Sequence, residues 1–577
     1  MRNLCITDPK RNLERKIQEA QLALEYEEKF SKRDILGKYL NGASYGTVNG
    51  TTAVGVQAAS RIYFSKPVWE LTLEQSALLA GLPQAPTDYN PILNPEGARQ
   101  RRNDVLGRMA KLGYISRERA LEGQQRGLGL KLSDTYFVQR QPYFFDYVED
   151  KLIEEYGVNT VRKGGLKVFT TVDPKLQEVG LEAMRSALPY SEDPAAALVA
   201  IEPETGQIKA MVSSSSYEQS QFNLAAQGHR QPGSTFKTFV LTTAIKQGID
   251  PYSTYYTSKP LNLDLPEWGH WEVATADEGY QGTINLQQAT VASDNTVFAQ
   301  LDLDVGPDNV AETAKSMGIE TELDGIPAEG IGGLRIGVSP LELSNAYATL
   351  ASGGIHRNPI AIRRVIFPDE RVDHPEEADP KRVLPEAVAY EVTQLLRDNI
   401  TGGTGTSAYT GCGGQAGKTG TTDNYTDAWF AGYQPNLATS VWVGYPESND
   451  IEMTSVHGTT VFGGTFPAQI WNSLYVGGEI PCEEFEAPES SVSWAPYYGK
   501  YTQSGGSSSE YESFSEDSED DESEAERKGK EATGGYDPDA YAPGAGQEPV
   551  PVPEPSPSPA PSGGGGGGAA TGGVGAG

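Results

Sequence analysis

The chain has 577 residues and a formal net charge of -32 at pH 7, a length that calls for two to four domains of roughly 150 residues and an acidity that argues against a nucleic-acid partner. The charge is uneven, with 15 acidic against 3 basic residues between Glu510 and Glu554. Three cysteines, Cys5, Cys412 and Cys482, exclude a disulfide scaffold, and five scattered histidines without an HExxH-type cluster lead us to expect no metal and no cofactor.

From Pro9 to Asn41, Leu13, Ile17, Ala20 and Leu24 recur at helical spacing among charged and polar residues, the pattern of an amphipathic core helix. Helical text continues at 71–82 (LTLEQSALLAGL) and 96–116, broken by PQAPTDYNP, so residues 1–130 are expected to form a mainly helical domain. Residues 131–190 then link it to a second domain at 191–482. In the linker, Leu166, Val168 and Thr170 alternate like a strand before Asp173-Pro174 opens a helix. Residues 196–213 read as two strands around Glu204-Thr205-Gly206, and 428–445 as two more around Gln434-Pro435-Asn436. Strands at both ends with helices between predict an α/β (α+β) domain whose sheet joins distant parts of the chain. Residues 483–577 are acidic and Ser-rich, then Pro- and Gly-rich, and are expected to form a disordered, solvated tail. No apolar run approaches the ~20 residues that span a bilayer, and the N-terminus lacks the apolar core of a signal peptide.

Chemistry concentrates at residues 230–239, RQPGSTFKTF. After the Pro232-Gly233 turn, Ser234 is expected on the first turn of a helix with Lys237 on the same face, so that hydroxyl and amine touch. A serine needs a neighbouring base, and backbone N–H groups at a helix start stabilise charge developing on a carbonyl oxygen. Lysine acts as that base only when neutral, through desolvation or a second cation. Lys418, in AGKTGTTDNYTDAWF, is the candidate cation, and Gly420 there is expected to let a substrate approach the backbone. Between them VASDNTVFAQ carries Ser293 and Asn295. S-x-x-K alone is common. The ordered set S-T-F-K, S-D-N and K-T-G, with gaps of 59 and 125 residues, is a strong signal of serine acyl-transfer chemistry.

On these motifs, and on GGLKVFTTVDPKLQ, VAIEPETGQIKAMV, SQFNLAAQGHRQPGSTFK and GVSPLELSNAYATLASGG, the chain resembles the class A penicillin-binding proteins, the bifunctional peptidoglycan synthases. The resemblance covers nearly everything up to residue 482. It implies the serine penicillin-recognising fold, an antiparallel sheet flanked by helices, at 191–482. It implies Ser234 as the acylated nucleophile, Lys237 as its base and Ser293 as the proton relay to a leaving D-alanine. Asn295 would hold the stem-peptide amide, Lys418 would fix the site's charge, and Thr419 and Thr421 would bind the substrate's terminal carboxylate. The N–H groups of Ser234 and Thr421 would form the oxyanion hole.

The N-terminal helices resemble the second half of the lysozyme-like family 51 glycosyltransferase domain, on RKIQEAQLALEYEEKFSKRDILGKYLN and LTLEQSALLAGLPQAPTDYNP. Glu19 falls at that family's second carboxylate, beside Arg15 and Lys16, while Gly37 replaces a usual acidic residue. The first motif, with the general-base glutamate, and the membrane helix are expected upstream of Met1. Implied partners are stem peptides, lipid II, β-lactam antibiotics and other cell-wall synthesis proteins, at the extracytoplasmic face of the bacterial membrane. A D,D-carboxypeptidase, a β-lactamase-like hydrolase and a non-enzymatic penicillin sensor are the alternatives. Outside the cytoplasm Cys412 and Cys482 would have the choice of a bridge or two buried thiols.

Overall fold

The central sheet is built from strands whose successive side chains enter two different cores. In the computed structural model, which describes residues 13–48, 51–132, 141–163, 165–276 and 278–503, five antiparallel strands lie in the order Ala416–Thr421, Asp427–Gln434, Leu437–Gly444, Ala195–Glu202 and Gln207–Ser213. Along Ala195–Glu202, Ala197, Val199 and Ile201 join a core with Phe239, Leu343 and Leu395, while Ala196, Leu198 and Ala200 join Met184, Trp471 and Leu474 on the opposite face. This period-two division buries both faces, so the strands are almost continuously apolar. Helices Pro174–Ala187 and Phe466–Gly477 cover one face, and Lys237–Lys246, Pro340–Ala351 and Glu386–Gly402 cover the other.

The strand pairs expected at 196–213 and 428–445 are both in this sheet, and Gly206, at φ +74°, makes the first of their turns. The predicted strand near 166–170 forms over Lys167–Thr170, but it pairs with Ile362–Ile366 in a separate small sheet. Asp173 caps the helix that follows, accepting from the N–H of Lys175 at 2.8 Å.

Helices Leu13–Lys29, Lys32–Gly42, Val56–Phe64, Leu73–Gly81, Pro95–Lys111 and Arg117–Gln125 make the N-terminal part mainly helical. The helix expected from 9 to 41 is split where Ser31 caps a new one, accepting from the N–H of Asp34 at 3.2 Å. A hairpin, Ser44–Val48 with Thr51–Val54, was not foreseen. Its Tyr45 packs with Ile62, Tyr63, Leu78 and Leu82 in a small core of its own. The first helix does not enter that core, since Ile17 and Leu24 are exposed; this corrects the expectation of a core helix there.

The folded chain also outruns the boundary at Cys482. Residues 483–503 run back over the domain, with Phe485, Val492, Tyr497 and Tyr501 packed on the main core and Gln503 donating to the Tyr255 carbonyl at 2.8 Å. Four well-spaced apolar side chains hold this strap, too sparse a pattern to register in a polar stretch. The rest of the tail, 504–577, lies outside the described residues.

Cys412 and Cys482 form a disulfide, with Cα atoms 5.6 Å apart and the two cysteines 70 positions apart in sequence. It ties the lead-in of edge strand Ala416–Thr421 to the root of the strap. Closing a loop of that length restricts the unfolded chain, so the double Cys→Ser variant is expected to lose about 2–4 kcal/mol in denaturant unfolding. It should still form a penicillin adduct, because neither sulfur touches a proposed catalytic side chain.

Candidate active site

Ser234 does not open the helix as expected. It sits in a 3-10 turn, Gly233–Phe236, and the α-helix begins at Lys237. Gly233 has φ +51°, and a Cβ there would lie 2.5 Å from the Thr421 carbonyl oxygen. A Cβ on Gly420 would lie 2.3 Å from the Pro232 oxygen, and one on Gly332 would lie 2.1 Å from the Gly233 oxygen. Three backbone segments therefore meet without side chains between them. Gly420 makes room for the Ser234 turn. The same contact sets the Ser234 and Thr421 backbones side by side.

Two buried amines converge on Ser293. Lys237 and Lys418 are each 1% exposed. Lys237 Nζ donates to the Ser293 carbonyl at 2.6 Å and to Asn295 Oδ1 at 2.6 Å, with Ser293 Oγ at 3.4 Å. Lys418 Nζ donates to Ser293 Oγ at 2.7 Å and to the Thr419 carbonyl at 3.2 Å. The expected Ser234–Lys237 contact is not made, because the amine is drawn to these stronger acceptors. A neutral amine has two N–H donors and one lone pair, so two short bonds leave Lys237 a lone pair for a proton. Burial pushes Lys237 down to about 7, with the Asp294 carboxylate pulling the other way. Lys418 lies well below the ordinary lysine range through burial and then the Lys237 charge. Desolvation, rather than the Lys418 charge, is thus what brings Lys237 toward its neutral form.

The S-D-N spacing is a corner between two helices. Ser293, at φ +57°, ends Leu286–Ala292, and Asp294 caps Asn295–Val305 by accepting from the N–H of Val297 at 2.9 Å. Asn295 Nδ2 donates to the Ala274 carbonyl at 2.9 Å. In the edge strand, Thr419 Oγ1 lies 2.6 Å from Thr404 Oγ1, and Thr421 Oγ1 accepts from the N–H of Gly463 at 3.2 Å.

Several supporting residues had no signal in the sequence. Arg230 Nε donates to Asp427 Oδ1 at 2.7 Å in a buried pair, and Trp442 Nε1 donates to the same oxygen at 2.8 Å. Trp429 Nε1 donates to the Gln231 carbonyl at 2.7 Å, and Tyr347 OH to the Thr235 carbonyl at 2.9 Å. These bonds moor the Ser234 turn to the sheet and to the helix beneath it. Only the closeness of Arg230 to Ser234 and of Asp427 to Lys418 in sequence could have hinted at them. Arg15, Lys16 and Glu19 fall on helix Leu13–Lys29, but their side chains lie outside the described residues.

Residues 196–457 match the family described as the penicillin binding protein transpeptidase domain, and residues 1–110 match the transglycosylase family. The chain is 31% identical to penicillin-binding protein 1A of Aquifex aeolicus (strain VF5), across 85% of this chain and 77% of that one. The chain belongs to the penicillin-binding proteins. Joining both domains, this penicillin-binding protein is a class A member, a serine-type transpeptidase of peptidoglycan synthesis. It shares its fold with the crystal structure of penicillin-binding protein 1A from Haemophilus influenzae, at TM-score 0.63 and 22% identity over 82% of this chain and 91% of that one. PonA1 from Mycobacterium tuberculosis, in complex with penicillin V, aligns at TM-score 0.54 and 28% identity over 62% of this chain and 98% of that one.

Proposed function

We propose that Ser234 Oγ attacks the carbonyl of a D-Ala-D-Ala stem peptide and that neutral Lys237 takes its proton. The observation that carries this is the pair of buried amines meeting at Ser293 beside the serine turn. The oxyanion is held by the N–H groups of Ser234 and Thr421, whose backbones run together at Gly233. Ser293 returns the proton to the departing D-alanine, with Lys418 donating to its oxygen. Thr419 and Thr421 hold the terminal carboxylate and Asn295 the peptide amide. An amine of a neighbouring strand then attacks the acyl-enzyme, restoring Ser234 and leaving a cross-link.

The reading places the protein at the extracytoplasmic face of the bacterial membrane, with stem peptides, lipid II and other cell-wall synthesis proteins as partners and β-lactams as inhibitors. Incubation with a stem pentapeptide is expected to release D-alanine and yield cross-linked dimers by mass spectrometry. D-alanine release with water as the sole acceptor would make it a carboxypeptidase, and rapid recovery of free enzyme after penicillin labelling would make it a hydrolase.

For the N-terminal domain, the proposed active-site carboxylate is Glu19, flanked by Arg15 and Lys16. Polymerisation divides its work between two carboxylates, one activating the acceptor hydroxyl and one near the donor phosphates. Glu19→Gln is therefore expected to abolish glycan synthesis from lipid II, and glycan strands on a gel from that variant would overturn the role of Glu19.

A further inference from the structure

Thr419 can aid a substrate carboxylate only if its hydroxyl proton points at the substrate, and the surrounding hydrogen bonds decide where that proton goes. Asn399, fully buried at the end of helix Glu386–Gly402, has its Nδ2 3.3 Å from the Val291 carbonyl, 3.4 Å from the Thr290 carbonyl and 3.0 Å from Thr404 Oγ1. Carbonyl oxygens only accept, so the amide must turn its nitrogen toward them. Thr404 Oγ1 therefore accepts from Asn399. Among the described residues Thr404 Oγ1 has no other acceptor within reach, so its own proton goes to Thr419 Oγ1, 2.6 Å away. Thr419 Oγ1 accepts that bond. With Thr404 donating to it, the Thr419 oxygen turns its own O–H outward.

We infer that Thr404, oriented by Asn399, is a positioning residue that fixes the Thr419 hydroxyl as a hydrogen-bond donor toward the substrate carboxylate. With the polarity reversed, Thr419 would donate to Thr404 and face an anion with lone pairs. The relay is rigidly mounted. The N–H groups of Gly403 and Gly405 both donate to the Asn399 carbonyl at 3.1 Å, and a Cβ on Gly464 would lie 2.5 Å from the Thr404 carbonyl oxygen. Through the Thr290 and Val291 carbonyls, Asn399 also grips the end of the helix that leads into Ser293. One buried amide thus references the carboxylate ligand to the proton-relay corner.

The inference rests on the proposed role of Thr419, so the test separates the two. The probes are benzoyl-D-alanyl-thioglycolate, a thioester donor ending in a free carboxylate, and its carboxamide, with acylation efficiency measured for each. Thr404→Val keeps the branched shape and removes the donor. It is expected to lower efficiency on the carboxylate about tenfold and on the carboxamide less than about twofold, the scale of one hydrogen bond to a charged group. Thr404→Ser should restore the preference, and both variants should melt near the parent temperature. An equal fall on both donors, an unchanged Thr404→Val, or failure of Thr404→Ser to restore the preference overturns the inference. Thr419→Val is the control. If it keeps the carboxylate preference, the role of Thr419 fails and the inference with it; if it loses the preference while Thr404→Val keeps it, only the inference fails.

Discussion

Ser234→Ala is expected to abolish the penicillin adduct seen by intact-protein mass spectrometry, with acylation falling by at least about 10⁴-fold, the scale for removing a nucleophile that acts with its base as a unit. Folding should survive. Ser234 is half-buried, its side chain makes no hydrogen bond among the described residues, and the turn is held from outside by Arg230, Trp429 and Tyr347. Removing a hydroxyl that has no partner leaves no buried donor or acceptor unpaired, so stability should change little. Retention of the adduct by the variant would refute Ser234 as the nucleophile. A large drop in melting temperature would instead show that the hydroxyl supports the turn.

The sequence carried four of the five central strands because each is a largely apolar run ended by a turn signal, as at Glu204-Thr205-Gly206; the edge strand Ala416–Thr421, AGKTGT, has no such pattern. It carried the three motifs because residue type, order and spacing are local: S-T-F-K, then S-D-N, then K-T-G. What it did not carry depends on packing across distance. The Arg230–Asp427 pair spans 197 residues, and neither residue is unusual where it stands. That the serine turn lies against Gly420 is likewise hidden, because one strand cannot reveal which backbone will pack on it. The strap at 483–503 escaped notice because its anchors, Phe485, Val492, Tyr497 and Tyr501, follow no helical or strand period. The resting partners of Lys237 were equally hidden, since which of several nearby acceptors wins depends on how the Ser293 corner is capped.

That arrangement makes the pH dependence of Lys237 the sharpest test of its role. A lysine at about 7 is protonated below neutrality and cannot accept from Ser234. Penicillin acylation should thus fall about tenfold per pH unit on the acid side, with a midpoint near 7. Lys237→Met removes the limb together with most of the activity. Asp294 holds the lysine up, so Asp294→Asn, which keeps a capping side chain, should move the limb to lower pH. A limb that stays in place would show that Asp294 does not act on Lys237. Stability should follow with a definite sign. Between about 7 and the ordinary lysine value of about 10.4, the unfolded chain keeps the Lys237 proton and the folded chain does not. Protons bound in the unfolded state then exceed those in the native state by one, so unfolding free energy rises with pH by about 1.4 kcal/mol per unit from this residue. Below about 7 both states are charged and the contribution is flat, with the fold carrying the full cost of a buried cation. The parent should therefore gain stability from pH 7 to 10 more steeply than Lys237→Met, by about that slope in denaturant titrations. Equal slopes would mean that Lys237 stays protonated in the fold, and the proton taken from Ser234 would need another acceptor.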